Sequence, residues 1–464
     1  MMAGRGARRT RPLGPLSCHP RGSFIGGVRG GHEPVASPLM FQDSNLALSL
    51  SVFRHASFAW FVGGQTPSMI THWMQKIGIG WLVWELTRSP SWLGVIAFVE
   101  MAPLVFLSPF TGVLCDRVNP AKPLLVNQCI QFVQAAALAI LTYSDLIRIE
   151  YILALSIIAG LNAPFGASAR HTVLPRLIPR EELFSGISLF SAIFNVARAI
   201  GPGLAGIAIV WWGVESVFAI HAAGELFYIL SFPFFLGAVP ELARGNRGGM
   251  VAEIKEGFRY AASHAGIAPI LVMLCAISFF SRPLIEMLPG FADEVFGRGA
   301  SGLAWLGSAF GFGALVGVGW LASRGRIAGT TGVMFTTSLG VGFSMIAFSA
   351  TANFWVALPM IGALGFTTAV SGTGAQTLVQ YAVKNEIRGR VMALYSIIVR
   401  GSPAFGAVLM GWFADFYGLR LTVAVSAVGC LSAWAWALRR RSAMIAALEG
   451  AGPGDGQTMP AARL

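Results

Sequence analysis

WLGVIAFVEMAPLVFLSPFTGVLCDR, Trp92 to Arg117, decides the class of fold. Over 91–113 it is an apolar run broken by one ionisable residue, Glu100. A run of that length crosses the roughly 30 Å hydrocarbon core of a bilayer as a helix. Only helices and closed barrels satisfy their backbone groups in lipid. Alternating ten-residue strands are absent from the chain, so helices are expected. The run ends abruptly in Asp116-Arg117, a charged connection.

Working outward, similar runs occupy 56–84, 124–143, 150–169, 186–211 and 215–236. Six more follow at 268–290, 302–323, 331–350, 353–380, 391–413 and 418–438. The first and tenth are long enough to tilt. Of 464 residues, 55% are hydrophobic and only 12% charged, against about 25% charged in a soluble domain. So few charges cannot cover a soluble surface. The 56 glycines and 24 prolines fit membrane helices, which tolerate both and approach closely through small residues. Cys18, Cys115, Cys129, Cys275 and Cys430 lack metal-ligand spacing and read as small core residues. No cofactor is expected.

The net charge of +12 raises nucleic acid as a partner, and its distribution excludes it. Connections after even-numbered runs hold fourteen Lys and Arg, those after odd-numbered runs only Arg88, Arg148, Arg298 and Arg420. Positive charge marks the cytoplasmic side. Both termini and the even connections are therefore expected inside the cell, which requires an even number of spans.

The expected fold is all-α: twelve membrane helices in two pseudo-symmetric six-helix bundles, 51–236 and 268–440. Residues 1–50, rich in Arg, Gly, Pro and Ser, read as a disordered basic tail. Met40 is a candidate translation start within it. A cytoplasmic linker spans 237–267 and a cytoplasmic tail 441–464. Ile254, Phe258 and Ala261 stand at helical spacing in the linker, as an interfacial amphipathic helix or a simple connection. The halves look alike: Arg198-Ala-Ile-Gly-Pro-Gly-Leu-Ala-Gly206 recurs loosely as Arg400-Gly-Ser-Pro-Ala-Phe-Gly406. Duplicated halves about a central site are a recurrent transporter plan.

Gly112, Asp116 and Arg117 resemble the loop motif of the major facilitator superfamily. The resemblance implies a latch between the halves. Asn119, Pro120 and Ala121 replace the family's next residues, and Lys122 stands one position on. Asn195, Arg198, Gly201, Pro202 and Gly206 resemble the superfamily's antiporter motif, with Ile207 in place of a final glycine. That resemblance implies a sealed outer half and exchange transport. With Thr71–Gly94, Val173–Leu183, Glu256–Tyr260 and Arg388–Ser396, the chain resembles the drug- and siderophore-exporting branch called transmembrane secretion effectors, which includes the enterobactin exporter.

Ionisable residues inside spans are costly and are functional candidates by default. Glu100 and Glu225 are the candidates for proton coupling, with His221 one turn before Glu225. Arg282 and Glu286, at i and i+4, read as an internal ion pair. Lys76 is a candidate partner of Glu100. Lys76, Gln65, Arg282, Glu286, Gln376 and Arg400 are candidates for the substrate cavity. Gln128, Gln131, Gln134, Asn162 and Gln380 are polar residues for a cavity or for interhelical bonds.

The expected function is secondary active transport, with proton-coupled antiport exporting drugs or siderophore-like compounds from a monomer in the plasma membrane. Its partners are the lipid bilayer, a small-molecule substrate and protons. Alternatives are a siderophore-specific exporter, an uptake permease, or a non-transporting scaffold or sensor. No phosphate-binding loop is present and no enzyme constellation stands at a convincing spacing.

Overall fold

The computed structural model describes residues 52–117, 119–238, 250–324, 328–383 and 387–449. The tail 1–50, Met40, most of 441–464 and the side chains of Gly112, Asp116 and Arg117 lie outside the described residues.

The first half is α1 (Ala56–Thr87), α2 (Pro90–Arg117), α3 (Ala121–Tyr143), α4 (Ile149–Val173), α5 (Leu183–Trp212) and α6 (Val214–Ser231). A linker helix follows, α7 (Met250–Ser263). The second half is α8 (Ile267–Phe280), α9 (Gly299–Arg324), α10 (Thr330–Ala350), α11 (Phe354–Ala382), α12 (Arg388–Tyr417) and α13 (Leu419–Leu438), followed by the short α14 (Arg441–Glu449). Among the described residues there is no strand.

Among the described residues, eleven helices are long and apolar enough to cross a membrane. The twelfth span, α1, has the length at 32 residues but a polar sequence. Gln65, Thr71, His72, Gln75 and Lys76 all stand on it. It packs on α5 and α6; Gln65, Thr71 and Gln75 are buried against protein and Lys76 lines the cavity between the halves, while His72 is exposed.

Both halves pack by one plan. In the first, α1 packs on α5 and α6, α2 on α4, and α3 on α4 and α6. In the second, α8 packs on α12 and α13, α9 on α11, and α10 on α11 and α13. Two seams join them: α2 against α12 and α5 against α9. Even the turns correspond. Gly213 joins α5 to α6 at φ 83° and Gly418 joins α12 to α13 at φ 78°, with ψ of 165° and 156°. Side chains are essentially excluded from that backbone region, so glycine makes each one-residue turn.

The seventh span departs from the single helix expected over 268–290. It breaks after Phe280 into short turns, Pro283–Glu286 and Leu288–Gly290, and ends in a π-helical turn, Phe291–Val295. Pro283 and Pro289 have no N–H to continue the helical ladder. The break brings Arg282, Ile285 and Glu286 into the space between the halves.

The linker does form a helix. Ala261 is buried in the core of the second half while Phe258 is exposed. An ion pair of 2.6 Å from Arg390 to Glu256 fastens it to α12.

Candidate functional site

A cavity of about 210 Å³ lies between the halves, at mid-height on the helices. Trp73, Lys76 and Ile77 of α1 line it, with Met101 of α2 and Arg198 and Pro202 of α5. The second half contributes Arg282 and Glu286 at the break, Leu303 and Phe310 of α9, Thr368 of α11 and Pro403 of α12. Apolar walls with a few convergent polar groups are the usual build of a small-molecule site.

Lys76 Nζ lies 2.8 Å from Glu286 Oε1, and this ion pair crosses the cavity from one half to the other. The expected i, i+4 pair of Arg282 with Glu286 is therefore replaced. The seventh span is broken where that pair needed continuous helix, and the ammonium of α1 stands opposite. Lys76 is likewise not bonded to Glu100, whose carboxylate accepts from Ser156 Oγ at 3.3 Å. Glu100 stays within electrostatic range of both Lys76 and Glu286. One ammonium thus serves two carboxyl groups.

More ties between the halves lie at the end carrying the α1–α2 connection. Arg88 pairs with Asp293, and the Trp84 indole donates to the same carboxylate at 3.0 Å. Ser89 Oγ lies 3.2 Å from both oxygens of Asp415.

The antiporter-like motif forms the α5–α9 seam. A Cβ at Gly206 would collide with the Ala304 methyl across this seam, and one at Gly201 with Trp73 of α1 in the same half. Gly311 of α9 sits equally tightly on the Ala199 backbone. Asn195 donates back to the Ser191 carbonyl of its own helix at 2.8 Å. Gly406, in the second-half counterpart, packs on the Phe279 backbone.

Gln65 is placed away from the cavity, in a polar network inside the first half. With its amide turned to suit its neighbours, it donates to Tyr228 Oη at 3.0 Å and accepts from Arg170 at 3.2 Å. Glu225, 2% exposed, accepts from Ser68 Oγ and Gln128 Nε2, both at 2.6 Å. Thr71 Oγ1 lies 2.9 Å from the Pro67 carbonyl, which takes its proton. The hydroxyl oxygen therefore accepts from His221 Nδ1, 2.9 Å away. That leaves His221 Nε2 bare, without a hydrogen bond and 3.8 Å from Glu225 Oε1. A proton on Glu225 would find its acceptor there.

Gln134 accepts from Gln75 at 2.9 Å, and Asn127 and Asn162 each donate to the other's carbonyl at 3.0 Å. These polar residues bond helix to helix. Gln376 is half-buried and Arg400 exposed, and neither lines the cavity. Sequence reasoning had named Lys76, Arg198, Arg282 and Glu286, and missed the apolar walls and Trp84, Asp293 and Asp415.

A profile of the transmembrane secretion effector family matches residues 47–451. The chain belongs to this family of major facilitator transporters. It is a multi-pass membrane transporter and not an enzyme. Similar proteins include the staphyloferrin A transporter of Staphylococcus aureus, 23% identical over 82% of this chain and 93% of that one. Macrolide efflux protein A of Streptococcus pyogenes is 22% identical over 77% and 89%. The multidrug efflux pump Tap of Mycolicibacterium fortuitum is 22% identical over 75% and 86%. In fold, the chain resembles a bacterial homologue of the human lysosomal transporter Spinster in an inward-facing, occupied conformation. The TM-score is 0.64 at 13% identity, over 88% of this chain and 98% of that one. It also resembles a POT family transporter bound to 5-aminolevulinic acid, with a TM-score of 0.66 at 11% identity over 83% and 96%.

Proposed function

We propose that this secretion effector exports small molecules across the plasma membrane in exchange for protons, by alternating access. Support comes first from the Lys76–Glu286 ion pair, which joins the halves across the cavity at 2.8 Å. Fourteen Lys and Arg in the even connections against four in the odd ones support a cytoplasmic position for both termini and the linker. The ties at Arg88, Ser89, Trp84, Asp293 and Asp415 then lie on the outer side, and the cavity faces the cell interior.

In this state Lys76 holds the Glu286 carboxyl across the cavity. Rocking breaks the pair and presents the carboxylate to the outside, where it takes a proton and loses its attraction for Lys76. Glu100 competes for the same ammonium, so protonating either carboxyl changes the other's partner. Glu225 and the bare Nε2 of His221 provide a second place for a proton inside the moving half. The division into bundles at 51–236 and 268–440, joined by the linker 237–267, gives two bodies to rock.

The test uses proteoliposomes with an imposed proton gradient, measuring proton flux with a pH dye as rhodamine 6G, ethidium or an organic carboxylate is added. Cargo-dependent proton movement is expected, and Glu100→Gln or Glu286→Gln should reduce it at least tenfold while Glu225→Gln reduces it less. Cargo movement indifferent to the proton gradient would overturn proton exchange. Binding of partners without any flux would favour the scaffold reading.

A further inference from the structure

Resting on the export reading, we infer that the central cavity selects an amphipathic organic anion, a molecule with two or more carboxylates on an apolar body, held between Arg198 and Arg282. The cavity wall carries three cations, Lys76, Arg198 and Arg282, and one carboxylate, Glu286. Lys76 and Glu286 neutralise each other at 2.8 Å. Arg198 and Arg282 have no hydrogen bond or ion pair to any described residue and are half-buried. They come from opposite halves, α5 and the broken seventh span, and stand within electrostatic range of one another. Arg400 adds another unpartnered guanidinium within range of Arg282, just outside the cavity wall.

Half-buried guanidinium groups without counter-ions are costly, and like charges facing one another across an apolar cavity repel. A cationic cargo would add to that repulsion. A neutral cargo would displace water from both guanidiniums and return no counter-charge. A polyanion relieves both costs, because each planar guanidinium matches a carboxylate with two parallel hydrogen bonds. Trp73, Ile77, Met101, Leu303 and Phe310 supply apolar contact for the body between the anionic groups. Because the arginines belong to different halves, an anion bound to both also bridges the bodies that move. It competes with Glu286 for Lys76 as well, which ties cargo binding to the proton-carrying carboxyl.

The experiment titrates the purified full-length chain with benzene-1,2,4-tricarboxylate, its uncharged trimethyl ester and the cation rhodamine 6G, by calorimetry. The tricarboxylate should bind saturably, more weakly as salt rises, and the ester should not compete with it. Arg198→Gln and Arg282→Gln should each weaken binding about tenfold or more, Arg282→Lys less, and Arg400→Gln least. Thermal unfolding of each variant verifies that it is folded. Equal binding of the ester, preferential binding of rhodamine 6G, no binding of the tricarboxylate, or arginine variants that bind it unchanged would overturn the inference. These outcomes are separate from the flux assay. A chain that exports cations with protons fails here and not there, and one that binds the tricarboxylate but moves nothing fails there and not here.

Discussion

The two halves of this molecule share a packing plan and differ in what they bury. The first half encloses Gln65, Gln75, Gln128, Gln134, Asn127, Asn162, His221 and Glu225. The buried polar side chains of the second half, among the described residues, are hydroxyls such as Ser338, Ser371 and Thr368. Its core is otherwise aliphatic and aromatic, around Phe291, Met345, Phe348 and Leu364. The corresponding helices at the centre differ in the same sense. α1 is continuous over 32 residues and polar, whereas its counterpart is apolar and broken at Ser281–Arg282. Shape has been kept in duplicate while chemistry has diverged, with the fully buried amides, His221 and Glu225 in one half and the hinge-like break in the other. Lys76 and Glu286 meet where the two specialisations face each other.

The largest effect should come from the polar core. Glu225→Leu strands the Ser68 and Gln128 donors in an apolar interior and should destabilise the protein by about 3 kcal/mol. Ser371→Ala, which removes a 2.8 Å hydroxyl bond to Ser338 within the second half, should cost about 1 kcal/mol. Denaturant unfolding in detergent compares them, and equal costs would erase the distinction between the halves.

Next comes the seam that lets the halves touch. Gly206→Val drives branched methyls into Ala304 and should cost about 1–3 kcal/mol, with transport lost. Gly319→Ala, with open space at its Cβ position, is the neutral control, read by the same unfolding and flux measurements. A tolerated Gly206→Val would detach the antiporter-like motif from packing.

Smaller again is the tie across the cavity. A double-mutant cycle on Lys76→Met and Glu286→Gln should give a coupling of about 1 kcal/mol, because the pair is only partly screened from water. Additive effects would mean that the pair does not link the halves.

The smallest effect lies at the C-terminus, where Glu449 of α14 accepts the Gly329 and Thr331 amides at 2.7 and 2.8 Å. Burial opposes ionisation of this carboxyl, but the donors of Thr331 and Gly329 outweigh it and hold Glu449 below the usual carboxylate range. A depressed value means that the contact stabilises above the unfolded-state pKa and is lost as pH falls through the folded one. Protection of the Gly329 and Thr331 amides, measured against the intrinsic exchange rate at each pH, should fall as the medium is acidified, and Glu449→Gln should remove most of that pH dependence of the protection.

Much of the fold was legible in the sequence because span length and positive charge are physical signals that a single chain carries. The runs 150–169 and 331–350 fall inside α4 and α10 with ends displaced by a few residues. A single span over 268–290 was expected because hydropathy runs on through Pro283 and Pro289, the residues at which the helix breaks. The site was legible in part, since an ionisable residue in an apolar run stands out alone. Its pairing did not stand out. Glu286 has Arg282 one turn away in sequence, and only the fold brings Lys76, from the other half, closer. Arg198 lines the cavity whereas Arg400 does not, although the motifs look alike. Arg198 stands four residues before Pro202 and Arg400 only three before Pro403, and one residue turns a helical side chain by about 100°.

The central claim, two rigid halves rocking about a cavity bridged by Lys76 and Glu286, is tested most directly by a distance. Spin labels at the exposed Leu86 and Tyr417, in a chain whose native cysteines are replaced by serine, report on the end where Ser89 meets Asp415. The account predicts one short distance at neutral pH and a second, longer population when Glu286→Gln removes the pair. An unchanged single distance in both proteins would contradict it.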